Sequence, residues 1–172
     1  MDRDESSVGR DGPRTRRAGG IPAALTRTAI YVAATWFGVG RIKFAPGTFA
    51  TATVLPLYWL LRFEPMPLRL AMVALLVLLA IFSADWVAAD QGQEDPQIIV
   101  IDEVAGGLIA LLLVDGASLP WQLAVLALFR VLDIFKPWPV SLELGQHKGF
   151  KIVYDDVVAG IFSGLIIGLV AR

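Results

Sequence analysis

A chain of 172 residues with 56% hydrophobic side chains and a mean hydropathy of +0.64 is about one domain long and more apolar than ordinary soluble proteins. Its formal net charge of −1, from 15 basic and 16 acidic residues, excludes binding by bulk positive charge, so no nucleic-acid partner is expected. The absence of cysteine excludes disulfides, thiolate zinc sites and cysteine nucleophiles together.

Residues 1–28 carry six Arg against four acids among Ser and Gly, and read as a disordered basic and polar tail without a signal-peptide core. Residues 29–172 then form one membrane-embedded domain. A short helix is expected near 28–38, followed by five longer ones near 47–62, 68–88, 98–114, 119–135 and 153–171. Each of the five is a nearly uncharged stretch extended through its polar flanks to about helix-crossing length. The fold expected is an all-α integral membrane bundle of five to six antiparallel helices.

The connections set the directions of these helices. "RFEPMPLR" (62–69) and "VDGASLP" (114–120) read as short turns at one end, while longer polar loops at 89–97 and 136–152 lie at the other. Alternation then brings Asp102 and Glu103 at one helix start, Asp133 at the next helix end, and Asp155 and Asp156 at the last helix start to one layer. "GVGRIKFAPGTFAT" (38–51) arrives there too. That end also carries Arg41, Lys43, Lys136, Lys148 and Lys151, against Arg62, Arg69 and the terminal Arg172, which predicts that it faces the cytoplasm. Trp36, Trp86 and Trp138 fall at that end, and Trp59 and Trp121 at the other, as an interfacial aromatic belt would place them.

Carboxylates gathered where solvation is poor need compensating positive charge, since like charges at short range oppose one another's ionisation. A helix dipole accommodates one acid at a helix start; two acidic pairs plus Asp133 call for more. A divalent cation meets the need, and oxygen ligands without cysteine point to Mg²⁺ or Mn²⁺ rather than zinc. Asp102, Glu103, Asp133, Asp155 and Asp156 are the candidate ligands, one of them also serving as general base. In "FRVLDIFKPWPV", Arg130, Asp133 and Lys136 follow one another at helical spacing, a carboxylate between two cations suited to phosphate. "APGTFAT" reads as a turn opening a helix, with Thr48 as N-cap and Gly47 and Thr48 offering backbone amides to an anion. Gly106, Gly107, Gly160, Gly164 and Gly168 read as smooth packing surfaces, and His147 as a solvated loop residue. These features point to metal-assisted hydrolysis of a phosphate monoester by water. The alternative is a small membrane cation channel or transporter with a carboxylate-lined path.

The blocks "GVGRIKFAPGT", "IVIDEVAG", "FRVLDIFKPWPV" and "YDDVVAG", in that order over about residues 36–171, resemble the bacterial phosphatidylglycerophosphatase A family. The resemblance implies an all-helical, Mg²⁺-dependent, multi-pass enzyme of the bacterial inner (cytoplasmic) membrane. Its substrate would be a lipid phosphate, and its reaction the removal of the terminal phosphate of phosphatidylglycerophosphate to give phosphatidylglycerol in phospholipid biosynthesis. Block by block it carries functional roles onto Pro46, Gly47 and Thr48, then Asp102 and Glu103, then Arg130, Asp133 and Lys136, then Asp155 and Asp156. The chain departs from the family pattern in "HKGFKIVYDD", which keeps only Gly149 of a glycine-rich run, and in Ala50 and Thr51, where Gly-Ser is usual. Glu143 is a loose match to an acid found after the Pro-Trp-Pro.

Overall fold

Three of the helices begin with proline in their first two positions, where the missing N–H costs nothing and the fixed φ suits the helix. In the computed structural model, which describes residues 23–136 and 148–171, these are α2 (Pro46–Leu61), α3 (Met66–Gln91) and α5 (Leu119–Phe135). With α1 (Ala23–Ala34), α4 (Ile101–Leu113), α6 (Lys148–Val170) and a short 3-10 turn at Val39–Arg41, they make an all-helical fold with no strand among the described residues. The polar tail up to residue 22, Trp138, Glu143 and His147 lie outside the described residues.

α4 is the central element. Ile101, Asp102, the run Val104–Leu108, Ala110 and Leu111 have little solvent contact, and the helix packs on α2, α3, α5 and α6. Its tightest neighbour is α6. A Cβ at Gly160 would stand 2.3 Å from the Gly106 carbonyl oxygen, and one at Gly106 would stand 2.5 Å from the Asp156 carbonyl oxygen. The small residues read as packing surfaces therefore bring two helix backbones together.

Helix boundaries differ from expectation, most of all at the starts of α1, α4 and α6, while α1 also ends at Ala34 rather than 38 and α3 runs Met66–Gln91 rather than 68–88. α1 is already helical at Ala23, the first described residue and five positions inside the stretch read as tail, and its Arg27 and Tyr31 are both tied to Asp90 of α3, at 2.8 and 2.7 Å. α4 starts at Ile101 rather than 98, because the Val100 amide is drawn to the Ala34 carbonyl at 3.0 Å. α6 is already helical at Lys148, the first described residue after 136, five positions before the expected start at 153. Its Gly149 amide donates to Asp85 of α3 at 3.2 Å, and a Cβ at Gly149 would meet the Ile81 carbonyl oxygen at 2.2 Å. The acidic pair Asp155 and Asp156 consequently lies two turns inside α6, out of range of a helix-start dipole.

The bundle is apolar on its outside as well as within. α3 exposes Leu70, Met72, Leu75, Leu78, Leu79 and Phe82, and α6 exposes Leu165, Ile166 and Leu169. A water-facing surface of this kind would be a large uncovered patch, whereas a lipid-facing one is at rest. α3 and α6, at 26 and 23 residues, are long and apolar enough to cross a membrane. α2, α4 and α5, at 16, 13 and 17 residues, fall short of the ~20 needed to cross directly.

The end bearing the short turns is closed by polar ties. Asp115 accepts from Tyr58 Oη at 2.6 Å and from Arg69 Nη1 at 2.9 Å, joining the end of α2, the start of α3 and the α4–α5 turn. Burial pushes the Asp115 carboxyl upward, but Arg69 and Tyr58 outweigh it and hold the group below the usual carboxylate range. Trp59 Nε1 donates to Gln122 at 2.9 Å at the same end. Trp36 and Trp86 sit at the opposite end, Trp36 donating to Thr53 at 2.9 Å and Trp86 edge-on to Tyr31.

Candidate active site

The starts of α2 and α4, the end of α5 and the second and third turns of α6 meet around a cavity of about 610 Å³. It is lined by Lys43, Ala45, Pro46, Gly47, Thr48, Asp95, Gln97, Ile99, Asp102, Glu103, Arg130, Asp133, Ile134, Lys136, Ile152 and Asp156. Of the residues proposed from sequence as metal ligands or phosphate binders, all line it except Asp155. Five carboxylates face three cations, so the lining carries excess negative charge if all are ionised.

Asp102, Glu103 and Asp156 form its floor. One carboxylate oxygen from each lies within 4.8 Å of the others, although the residues come from two helices. Asp102 and Asp156 are 8% and 2% exposed, and Asp102 Oδ1, Glu103 Oε2 and Asp156 Oδ2 are buried with no hydrogen-bond partner. Uncompensated buried carboxylate oxygens are expensive. A hard cation with oxygen ligands would satisfy all three at once, and no His or Cys lines the cavity among the described residues, so the donor set fits Mg²⁺ or Mn²⁺ and not zinc.

The other two acids have partners. Asp133 Oδ2 accepts from Arg130 Nη1 at 2.5 Å, and the same nitrogen is 3.6 Å from Glu103 Oε1. Arg130 thus ties α5 to the carboxylate floor, with its Nε left unpartnered. Asp155, one residue round α6 from Asp156, accepts from Lys136 Nζ at 2.8 Å. Burial lowers the Lys136 ammonium's pKa, yet the bond to Asp155 and nearby acids outweigh it and keep the pKa above the ordinary lysine value. Lys136 therefore enters the cavity as a fixed positive charge.

Two backbone positions at the rim are left-handed without being glycine: Ala45 (φ 46°) before α2 and Lys136 (φ 43°) after α5. Such conformations carry strain and concentrate at sites that need a particular direction of approach. Ala45, not Thr48, is the N-cap of α2, because Pro46 occupies the first helical position. Thr48 lies in the first turn, its amide donating to the Ala45 carbonyl at 3.0 Å, with its exposed side chain on the cavity wall. Gly47 is buried against the floor: a Cβ there would stand 2.1 Å from Glu103 Oε1 and 2.9 Å from Arg130 Nη2.

Asp95, Gln97, Ile99, Ile134 and Ile152 also line the cavity and were not singled out by sequence. "EDPQII" offered only one signal, an acid beside a proline just before the apolar run.

Residues 32–171, nearly all of the described bundle, match the family described as phosphatidylglycerophosphatase A. The chain belongs to the phosphatidylglycerophosphatase A family. Among relatives, it is 33% identical over 138 residues to the Escherichia coli protein of that name, covering 80% of each chain. It is 36% identical over 141 residues to the Haemophilus influenzae protein of that name, covering 80% of this chain and 86% of that one. A Bacteroides thetaiotaomicron protein named "Putative phosphatidylinositol-3-phosphatase" is 38% identical over 144 residues, covering 78% and 89%. No solved structure matches the chain significantly. As a member of the phosphatidylglycerophosphatase A family the chain is a phosphatase, and its fold is that of a helical membrane protein.

Proposed function

We propose that this phosphatase removes the terminal phosphate of phosphatidylglycerophosphate, giving phosphatidylglycerol, with Mg²⁺ held by Asp102, Glu103 and Asp156 at the cytoplasmic side of the bacterial inner membrane. The observation that carries this reading is a trio of carboxylates, each offering an oxygen within 4.8 Å of the others and each keeping a buried oxygen without a partner, on the floor of a cavity that also holds Arg130 and Lys136. The names of the relatives support the lipid headgroup.

Bound there, the cation would supply charge neutralisation and a more acidic water. The chain's own residues do the rest. The Arg130 guanidinium and the Lys136 ammonium take the phosphoryl oxygens, Arg130 by forked hydrogen bonds and Lys136 as a point charge. The pairs with Asp133 and Asp155 hold these two cations in place before substrate arrives, so less ordering is needed on binding. In hydrolysis a water oxygen attacks phosphorus, its proton passes to a carboxylate of the cluster, and the bond to the glycerol oxygen breaks. That oxygen takes a proton from solvent at the cavity mouth.

The test is phosphate release by purified protein from phosphatidylglycerophosphate, phosphatidic acid and phosphatidylinositol 3-phosphate, with Mg²⁺ or with a chelator. Phosphatidylglycerophosphate should be cleaved fastest, and only with Mg²⁺. Asp102→Asn and Asp156→Asn should each lower the rate by about 100-fold or more and weaken Mn²⁺ binding followed by paramagnetic resonance. Undiminished activity in both variants would remove the site, and preference for the phosphoinositide would move the substrate to that of the Bacteroides relative's name.

A further inference from the structure

α2 and α5 both pack on α4 and touch each other only lightly. They run antiparallel. Trp59 late in α2 is bonded to Gln122 early in α5, and Gly47 at the start of α2 lies against Arg130 late in α5. Between these ties the floor is α4, where a Cβ at Gly107 would meet Val54 of α2 at 3.1 Å and Leu126 of α5 at 3.5 Å.

Above that floor each helix carries an exposed stripe along one face, and the ends of these faces meet: Trp59 on the α2 stripe reaches Gln122 of α5, and Thr48 and Ile134 line one cavity. On α2 it runs through Thr48, Ala52 and Trp59, and on α5 through Leu123, Ala127 and Ile134, the same spacings read in opposite directions. All six residues are exposed, and Thr48 and Ile134 also line the carboxylate cavity. Placed so, the stripes would bound an apolar channel that begins at the mouth of the site. Its middle is lined by the two alanines and its far end is flanked by Trp59 and Leu123. Eleven helical residues cover about 16 Å, half of the ~30 Å hydrocarbon core and so the depth of one leaflet.

We propose that this channel seats one acyl chain of the phospholipid whose headgroup phosphate enters the cavity, an inference that rests on the lipid-phosphatase reading above. Continuity with the cavity and the one-leaflet length select a lipid tail. A second copy of the chain fits less well, because a helix ~10–12 Å wide would bridge the rims without entering a gutter walled by alanine. The chain seated along α2 and α5 holds the headgroup ester over the carboxylates while the lipid stays in the bilayer.

The experiment uses the full chain in lipid nanodiscs and phosphatidylglycerophosphate carrying a photoreactive diazirine at mid-chain. Label should concentrate on the facing stripes of α2 and α5. Ala127→Phe and Ala52→Phe, which fill the channel, should lower that label about tenfold, whereas Leu75→Phe on the exposed face of α3 should not. In the filled variants the ratio of kcat/KM for the diacyl substrate to that for its deacylated headgroup should fall about tenfold as well. Label spread evenly over α3 and α6, crosslinks between two copies along these stripes, or equal loss on both substrates would overturn the channel. Labelled stripes without phosphate release would instead overturn the phosphatase reading and leave the channel standing, while release with even labelling would sink the channel alone.

Discussion

Gly47 is the residue at which sequence, backbone and chemistry meet most closely. It occupies the first turn of α2 and is buried where Glu103 and Arg130 come together, so a methyl group there would stand 2.1 Å from a carboxylate oxygen. Both obstructing groups are the free ends of flexible side chains, and they would turn aside without unfolding the helix. Gly47→Ala should therefore leave the unfolding temperature in detergent within a few degrees of wild type while lowering phosphate release by about 100-fold, because the donors lose their preset positions. A loss of stability with proportionate loss of activity would mean that Gly47 only packs. At this scale the sequence was legible where chemistry demanded a residue type: Asp102, Glu103, Arg130, Asp133, Lys136 and Asp156 all line the cavity. It was not legible in the choice between neighbours. Asp155 and Asp156 differ by 100° around α6, and which of them faces the cavity depends on how that helix is rotated against α4.

That rotation is set by small residues at the α4–α6 crossing. Gly106 and Gly160 bring the backbones close enough that a Cβ on Gly160 would stand 2.3 Å from a carbonyl oxygen, while Gly168 further along leaves 3.4 Å to its nearest neighbour. Gly160→Ala should destabilise the protein by roughly 1–3 kcal/mol, since neither backbone gives way as a side chain would. Gly168→Ala should be neutral or slightly stabilising through better helix propensity. Thermal unfolding of the two variants in one detergent separates these outcomes, and equal effects would mean that the helices do not cross at Gly160. The four-residue glycine repeat marked this face, but sequence alone could not say which glycine carries the contact. The helix starts were hidden for a related reason. Gly149 of α6 is held by Asp85, and Arg27 and Tyr31 in the second and third turns of α1 by Asp90, both acids on α3, and residues more than 50 positions distant leave no local signal. The irregular path from Gly92 to Val100, which brings Asp95 and Gln97 to the cavity, follows no period at all.

Over the whole molecule, charge is divided between two ends that do different work. One end holds the carboxylate cavity together with Arg41, Lys43, Lys136 and Lys148, and the other has Arg62 and Arg69. Arg69 is committed to Asp115 in a tie between helices, and Arg62 lies exposed beside the same carboxylate. Since insertion retains Lys and Arg on the cytoplasmic side, the cavity end should be inside and the Asp115 end outside. Absence of cysteine makes this orientation directly measurable. Glu64 lies in the exposed turn between α2 and α3, and Gln93 in the exposed loop after α3, at opposite ends of the longest helix. In sealed right-side-out vesicles, a membrane-impermeant maleimide should label Glu64→Cys at once and Gln93→Cys only after the membrane is opened. The reverse pattern would put the cavity on the outer face and overturn a cytoplasmic site. Labelling of both positions from the same side would mean that α3 does not span, and the apolar faces of α3 and α6 would then need a protein partner in place of lipid.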